Sequence, residues 1–264
     1  MSKKMLTKIG TALILVALCV PPLFIGGIPL KILLLVIAFI ASYEIASLAD
    51  HKHPWITTIL NCCAIAGISL VPDSHVAVVE AVWLIVLFTI ELIDEDITTD
   101  AVVYPFALTS LVGMALHSVI TMYQDKHLGV TMLVFVLLAS IFCDTGAYFV
   151  GVSFGRHKMI PRVSPNKTWE GSVGGFICGF LAALIYGLLG LKNMPLSFVI
   201  CGSICMPLVA QIGDLSFSSI KRRFGIKDFG NFLPGHGGVL DRIDSIVFCL
   251  MFMNAMMIVW RIMA

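Results

Sequence analysis

Between Ser218 and Asp244 the chain reads SSIKRRFGIKDFGNFLPGHGGVLDRID, the densest run of residues able to do chemistry. Lys221, Arg222, Arg223 and Lys227 lead to Asp228, then to His236-Gly237-Gly238, then to Asp241, Arg242 and Asp244. Cations, glycines and carboxylates packed this closely suit a substrate made of phosphates and a divalent metal. Asp214 stands four residues before Ser218 and seven before Lys221, so a helix continuing through them puts all three on one face. Asp241 and Asp244, at i and i+3, face one way at the start of the last apolar run. Carboxylates converging from two helix ends form an oxygen pocket of the kind Mg²⁺ takes, its shell completed by water and phosphate oxygens. Gly237 and Gly238 allow backbone N–H groups to approach an anion closely, and His236 between glycines is placed to hydrogen-bond a phosphate or leaving group.

Three features outside that stretch add to it. Asp144, in Ile141-Phe-Cys-Asp-Thr-Gly-Ala-Tyr148, lies amid apolar residues and has to face a cavity, a partner or a metal; Tyr148 shares its helix face at i+4. The loop from Gly151 to Gly171 holds Arg156, Lys158, Arg162 and Lys167, and the rigid Ser164-Pro165 step is expected to present Lys167 to a phosphate. Thr168 reads as the N-cap of the next helix. Glu44 sits well inside an apolar run, which marks it for function unless it lies near the run's end.

These residues need a scaffold, and composition says which kind. Of 264 residues 59% are hydrophobic and 12% charged, with a mean hydropathy of +0.99. A soluble domain needs more polar surface, so the chain is an integral membrane protein. The runs are continuously apolar rather than alternating, which means helices and excludes a barrel. The fold class expected is all-α and polytopic, with about nine transmembrane helices and a polar active-site cavity facing the cytoplasm. The spans are 9–28, 30–48, 55–71, 76–93, 101–122, 128–150, 172–191, 196–213 and 244–262. Residues 1–125 form N-terminal transmembrane helices, and residues 126–264 a catalytic region carrying the polar stretch. Pro21-Pro22 interrupts the first run, and no convincing cleavage site follows, so an uncleaved first helix is expected.

Orientation follows from the cations. With a cytoplasmic N-terminus, the inner side holds thirteen: Lys3, Lys4, Lys8, Lys52, Arg156, Lys158, Arg162, Lys167, Lys221, Arg222, Arg223, Lys227 and Arg242. The outer side holds four: Lys31, Lys126, Lys192 and Arg261. Both long polar loops then face the compartment where nucleotides are found. Gly171, Gly175 and Gly179 form a small-xxx-small stripe for close helix packing. The eight cysteines all fall in apolar runs without zinc or disulfide spacing and read as small buried hydrophobes.

The polar stretch resembles a known signature. Ser218-x-x-Lys221-Arg222, four residues, Lys227-Asp228-x-Gly230, two residues, Leu233-Pro234-x-His236-Gly237-Gly238, two residues, Asp241-Arg242-x-Asp244 is similar to that of phosphatidate cytidylyltransferases. Asp144-x-x-Ala147-Tyr148-Phe149 and Ser164-Pro-Asn-Lys-Thr-x-Glu-Gly171 also resemble stretches of that family. The resemblance implies that CTP and phosphatidic acid give CDP-diacylglycerol and pyrophosphate, in a multi-pass protein of a bacterial inner membrane among its lipids. It implies Mg²⁺ on Asp214 and Asp241, with Asp244 in support and Asp144 beside them, and leaves room for a second, monovalent ion. Lys221, Arg222, Lys227 and Lys167 would hold phosphates, with Ser218 as a hydrogen-bonder and His236 orienting pyrophosphate or moving a proton. Asp214, Asp241, His236 and Lys221 are the candidate catalytic residues. Lys167, Ser218, Arg222, Lys227, Gly237, Gly238 and Asp144 are the candidate substrate contacts. A CTP-using lipid-alcohol kinase is the nearest alternative, and an ion-coupled transporter using Glu44 and Asp144 the alternative of another class. No nucleic-acid partner is expected, and the sequence leaves a homodimer open.

Overall fold

A computed structural model describes residues 3–49, 54–124, 126–233 and 237–263. Among these are nine α-helices: α1 Lys3–Ile25, α2 Gly27–Ala49, α3 Pro54–Leu70, α4 Asp73–Ile93, α5 Asp100–Met122, α6 Lys126–Phe154, α7 Trp169–Gly190, α8 Leu196–Arg223 and α9 Leu240–Met263. The all-α, polytopic expectation holds. Seven of them, α2 and α4 to α9, are long and apolar enough to cross a bilayer; Ile14–Ile25 of α1 and all of α3 are shorter apolar stretches. Their outward faces are as apolar as their inward ones: Leu35, Val82, Ile85, Leu181 and Ile185 are exposed, as lipid contact requires. This is a multi-pass integral membrane protein.

Local chemistry sets the helix ends. Gly26 and Gly27 adopt φ of 69° and 58°, a left-handed region open to glycine at little cost, so α2 starts two residues after α1 ends. Pro21 and Pro22 lie inside α1 instead of interrupting it. α8 runs ten residues beyond the expected end at Gly213, to Arg223. The expected loop between the sixth and seventh helices holds a two-stranded antiparallel hairpin, β1 Lys158–Ile160 and β2 Ser164–Thr168, pairing Lys158 with Thr168 and Ile160 with Ser164.

The chain divides into two compact units. Unit 1 is Met1–Ile120 with Ile226–Arg242, and unit 2 is Thr121–Gly225 with Ile243–Ala264. The segment 226–242, assigned from sequence to the C-terminal region, clusters with the N-terminal helices. In unit 1, α2 buries Leu30, Leu34, Ala38, Ala41 and Ile45 along one stripe. Ala64, Trp83, Leu87 and Val102 form a second cluster, within which Trp83 Nε1 donates to Thr109 Oγ1 at 2.8 Å.

Unit 2 is built on close helix approach. α7 buries Gly171, Gly175, Gly179, Ala183 and Gly187 on one face, the stripe read from sequence and longer than read. A Cβ on Gly175 would stand 2.6 Å from the Cys143 carbonyl oxygen of α6, and one on Gly179 2.7 Å from that of Ala139. Only glycine permits this contact. Gly213 does the same for α8 and α9, since its Cβ would meet the Asp244 carbonyl oxygen at 2.8 Å.

Candidate active site

Within unit 2 the C-terminal ends of α6 and α8 and the N-terminal ends of α7 and α9 come together with the hairpin. A cavity of about 510 Å³ opens there, lined by Asp144, Tyr148, Asn166, Lys167, Gln211 and Asp214 among others. The shared face of Asp144 and Tyr148 is borne out, since both line it.

Lys167 reaches the cavity because β2 carries it and α7 anchors β2. Thr168 caps α7 as expected, its Oγ1 accepting from Gly171 N at 3.1 Å. Glu170 ties the start of the hairpin down, accepting from the backbone N–H of Arg156 and His157 and meeting His157 Nδ1 at 2.6 Å. Trp169 N donates to the His157 carbonyl at 3.0 Å. So held, Lys167 Nζ pairs with Asp214 Oδ2 at 2.5 Å.

The continuation of α8 past Gly213 puts Asp214, Ser218 and Lys221 on one face, and Ser218 Oγ donates to Asp214 Oδ1 at 3.3 Å. Gly213, beside Asp214, is what lets α9 bring Asp244 close. Asp244 lies within electrostatic reach of Asp214, Asp144 and Lys221, and its Oδ1 accepts from Ser245 N at 2.9 Å. Ser245 Oγ in turn donates to Asp144 Oδ2 at 3.1 Å and lies 3.0 Å from Ser140 Oγ. Three carboxylates from α6, α8 and α9 therefore share one region with two lysines. Arg222, expected on a phosphate, has its Nε donating to the Val163 carbonyl of the hairpin turn at 3.1 Å.

The other site residues named from sequence belong to unit 1. Asp241 is buried, and its Oδ2 accepts two backbone bonds, from Phe229 N at 2.8 Å and Gly238 N at 2.9 Å. The Gly238 N–H, expected to meet a substrate anion, is thus given to a carboxylate of the chain itself. Gly237 takes φ of 85°, and Lys227 is exposed. His236 lies outside the described residues. Among the described residues no group of three His, Cys, Asp or Glu stands ready-made around a metal position.

Sequence reasoning missed several participants. Gln211 and Ser172 face each other across α8 and α7, with Gln211 Nε2 also donating to the Ser172 carbonyl at 3.0 Å. Their types carry no signal of that role. Glu44 was marked as an intramembrane acid, but its partners were not legible. Its Oε1 accepts from Val239 N at 2.7 Å and its Oε2 from Leu240 N at 2.8 Å.

The model of the cytidylyltransferase family matches residues 6–260. A protein of Staphylococcus saprophyticus named phosphatidate cytidylyltransferase is 34% identical over 252 residues, covering 94% of this chain and 97% of that protein. One of Staphylococcus epidermidis with the same name is 33% identical, with the same coverage. Its namesake in Bacillus subtilis is 29% identical over 264 residues, covering 96% of each chain.

Proposed function

The chain belongs to the cytidylyltransferase family, and we propose that it transfers CMP from CTP to phosphatidate, releasing pyrophosphate and forming CDP-diacylglycerol. A phosphate oxygen of the lipid attacks the α-phosphorus of CTP. The bond from that phosphorus to the bridging oxygen of the β-phosphate breaks, and the electron pair leaves with pyrophosphate. No protein nucleophile is required, so the residues act by positioning and by neutralising charge.

The observation that supports this most is the Lys167–Asp214 pair at the wall of the cavity, with Asp144 also lining it and Lys221 and Asp244 nearby. Lys167 and Lys221 bring ammonium groups to a place where triphosphate charge has to be held. Tyr148 and Val152 give the same cavity an apolar wall, suited to a substrate whose other end is acyl chain. Ser218 donates to Asp214 and steadies that carboxylate.

Mg²⁺ fits the donor set. Asp144, Asp214 and Asp244 are hard oxygen ligands, and three carboxylates against two lysines leave negative charge in a low-dielectric region. Asp214 and Asp244 would hold the ion, with Asp241 as the further carboxylate that the signature supplies. When bound it would offset charge on the transferring phosphate. A monovalent ion beside it is a further part of the reading. Lys227, Arg222, Gly237 and His236 complete the phosphate contacts on the signature's authority. Orientation completes the reading: the N-terminus and the cavity face the cytoplasm, where CTP is available.

The test uses purified protein with phosphatidate and CTP labelled at either the α- or the γ-phosphate. Label from the α-position entering the lipid, with pyrophosphate released in equal amount, is the expected result. Label from the γ-position entering a lipid, with CDP released, would replace this reading with the lipid kinase.

A further inference from the structure

Glu44 belongs to α2 and is 2% exposed, far along the chain from every residue of the signature. Its carboxylate nevertheless meets the first turn of α9. The backbone N–H groups of Val239 and Leu240 are two of the donors that a helix start leaves without an intrahelical acceptor. Glu44 accepts one with each oxygen, at 2.7 and 2.8 Å. An anion at a helix N-terminus also complements the helix dipole.

The contact extends into the signature loop. A Cβ on Gly238 would lie 2.6 Å from Glu44 Oε1 and 2.7 Å from Oε2, and one on Gly230 would lie 3.0 Å from Oε1. Those two glycines of the signature are therefore shaped around this side chain. Gly238, so packed, donates its N–H to Asp241 Oδ2, which also accepts from Phe229. The two carboxylates divide the donors between them. Glu44 fixes the backbone at residues 238–240, and that backbone fixes the Asp241 side chain.

We propose that Glu44 is a positioning residue for the reaction: its carboxylate anchors the start of α9 and the signature loop, and through Gly238 sets the orientation of Asp241. Glutamine at this position keeps the shape but turns an NH₂ towards a backbone donor, so one anchor bond becomes a repulsion. The catalytic part of this claim rests on the cytidylyl-transfer reading; the anchoring part does not.

The experiment has two arms on the full chain in lipid nanodiscs. Amide exchange followed by mass spectrometry is expected to show Val239 and Leu240 protected in the wild type, and about tenfold faster exchange of that peptide in Glu44→Gln. Steady-state assays are expected to show kcat lowered by about 100-fold in Glu44→Gln, with the thermal midpoint of the folded protein kept and Glu44→Asp partly rescued. Gly238→Ala should lower kcat as well, and the double variant should fall short of the product of the two losses, because both break one contact. Fast exchange of Val239 and Leu240 in the wild type would overturn the proposal, whether or not any variant folds. So would wild-type kcat in the folded fraction of Glu44→Gln. A wild type that transfers no CMP, with Glu44-dependent protection intact, would sink the reaction and leave the anchor standing.

Discussion

Lys167 and Asp214 hold each other at 2.5 Å in the wall of the cavity, so each side chain defines the other's position as well as its own charge. Replacing Lys167 with Met removes one of two ammonium groups in that region. We expect kcat/KM for CTP to fall by about 100-fold, with the helical circular dichroism unchanged; wild-type kinetics would take Lys167 out of the site. The pattern in the sequence was enough to group Asp214, Ser218 and Lys221, because helical spacing is a local rule and α8 obeys it. It was not enough for Asp144, whose hydroxyl partner Ser245 lies 101 residues away, nor for Glu44, whose backbone donors lie 195 and 196 residues away. An acid inside an apolar run announces that a partner exists; only packing says which.

α6 and α7 meet along glycines, and the site depends on that seam because α7 also carries the cap that holds β2. Gly175→Ala forces a Cβ to 2.6 Å from the Cys143 carbonyl oxygen. The expected cost is about 1–3 kcal/mol, read as a lower thermal midpoint in detergent. Gly10→Ala in α1, which would meet nothing within 4 Å, is the control and should leave the midpoint unchanged or raise it; equal midpoints for the two would contradict the seam. Thr168→Ala removes the α7 cap and should cost about 1 kcal/mol, with Lys167 activity falling alongside. The stripe was legible because small residues repeated every four positions. The hairpin was not: Pro161, Pro165 and Asn166 are poor strand residues, and it persists because Glu170 and Arg222 bond its ends and turn.

Across the whole chain, Glu44 near the end of α2 and Val239 at the start of α9 touch within one unit. The helices between them must return the chain to the side it left. Of the seven helices long enough by composition, five (α4 to α8) lie between these two points, and an odd number would put α9 on the wrong side. A crossing by α3, with 17 residues at the short end of what spans a bilayer, would make the sixth. In a background without the native cysteines, that path predicts reaction of Glu95→Cys with an impermeant maleimide only from the cytoplasmic side and of Lys192→Cys only from the other; the two sides exchanged would contradict it. The sidedness in that prediction comes from the cation bias of the sequence alone, while the sorting of segment 226–242 into unit 1 left no local trace. The central claim, that acidic and basic side chains gathered where the ends of α6 to α9 meet carry CMP transfer, is tested most directly by assaying Asp214→Ala against wild type with α-labelled CTP, phosphatidate and Mg²⁺. Loss of at least about 100-fold in a folded, membrane-inserted variant is the predicted result, and labelled lipid formed at the wild-type rate would contradict it.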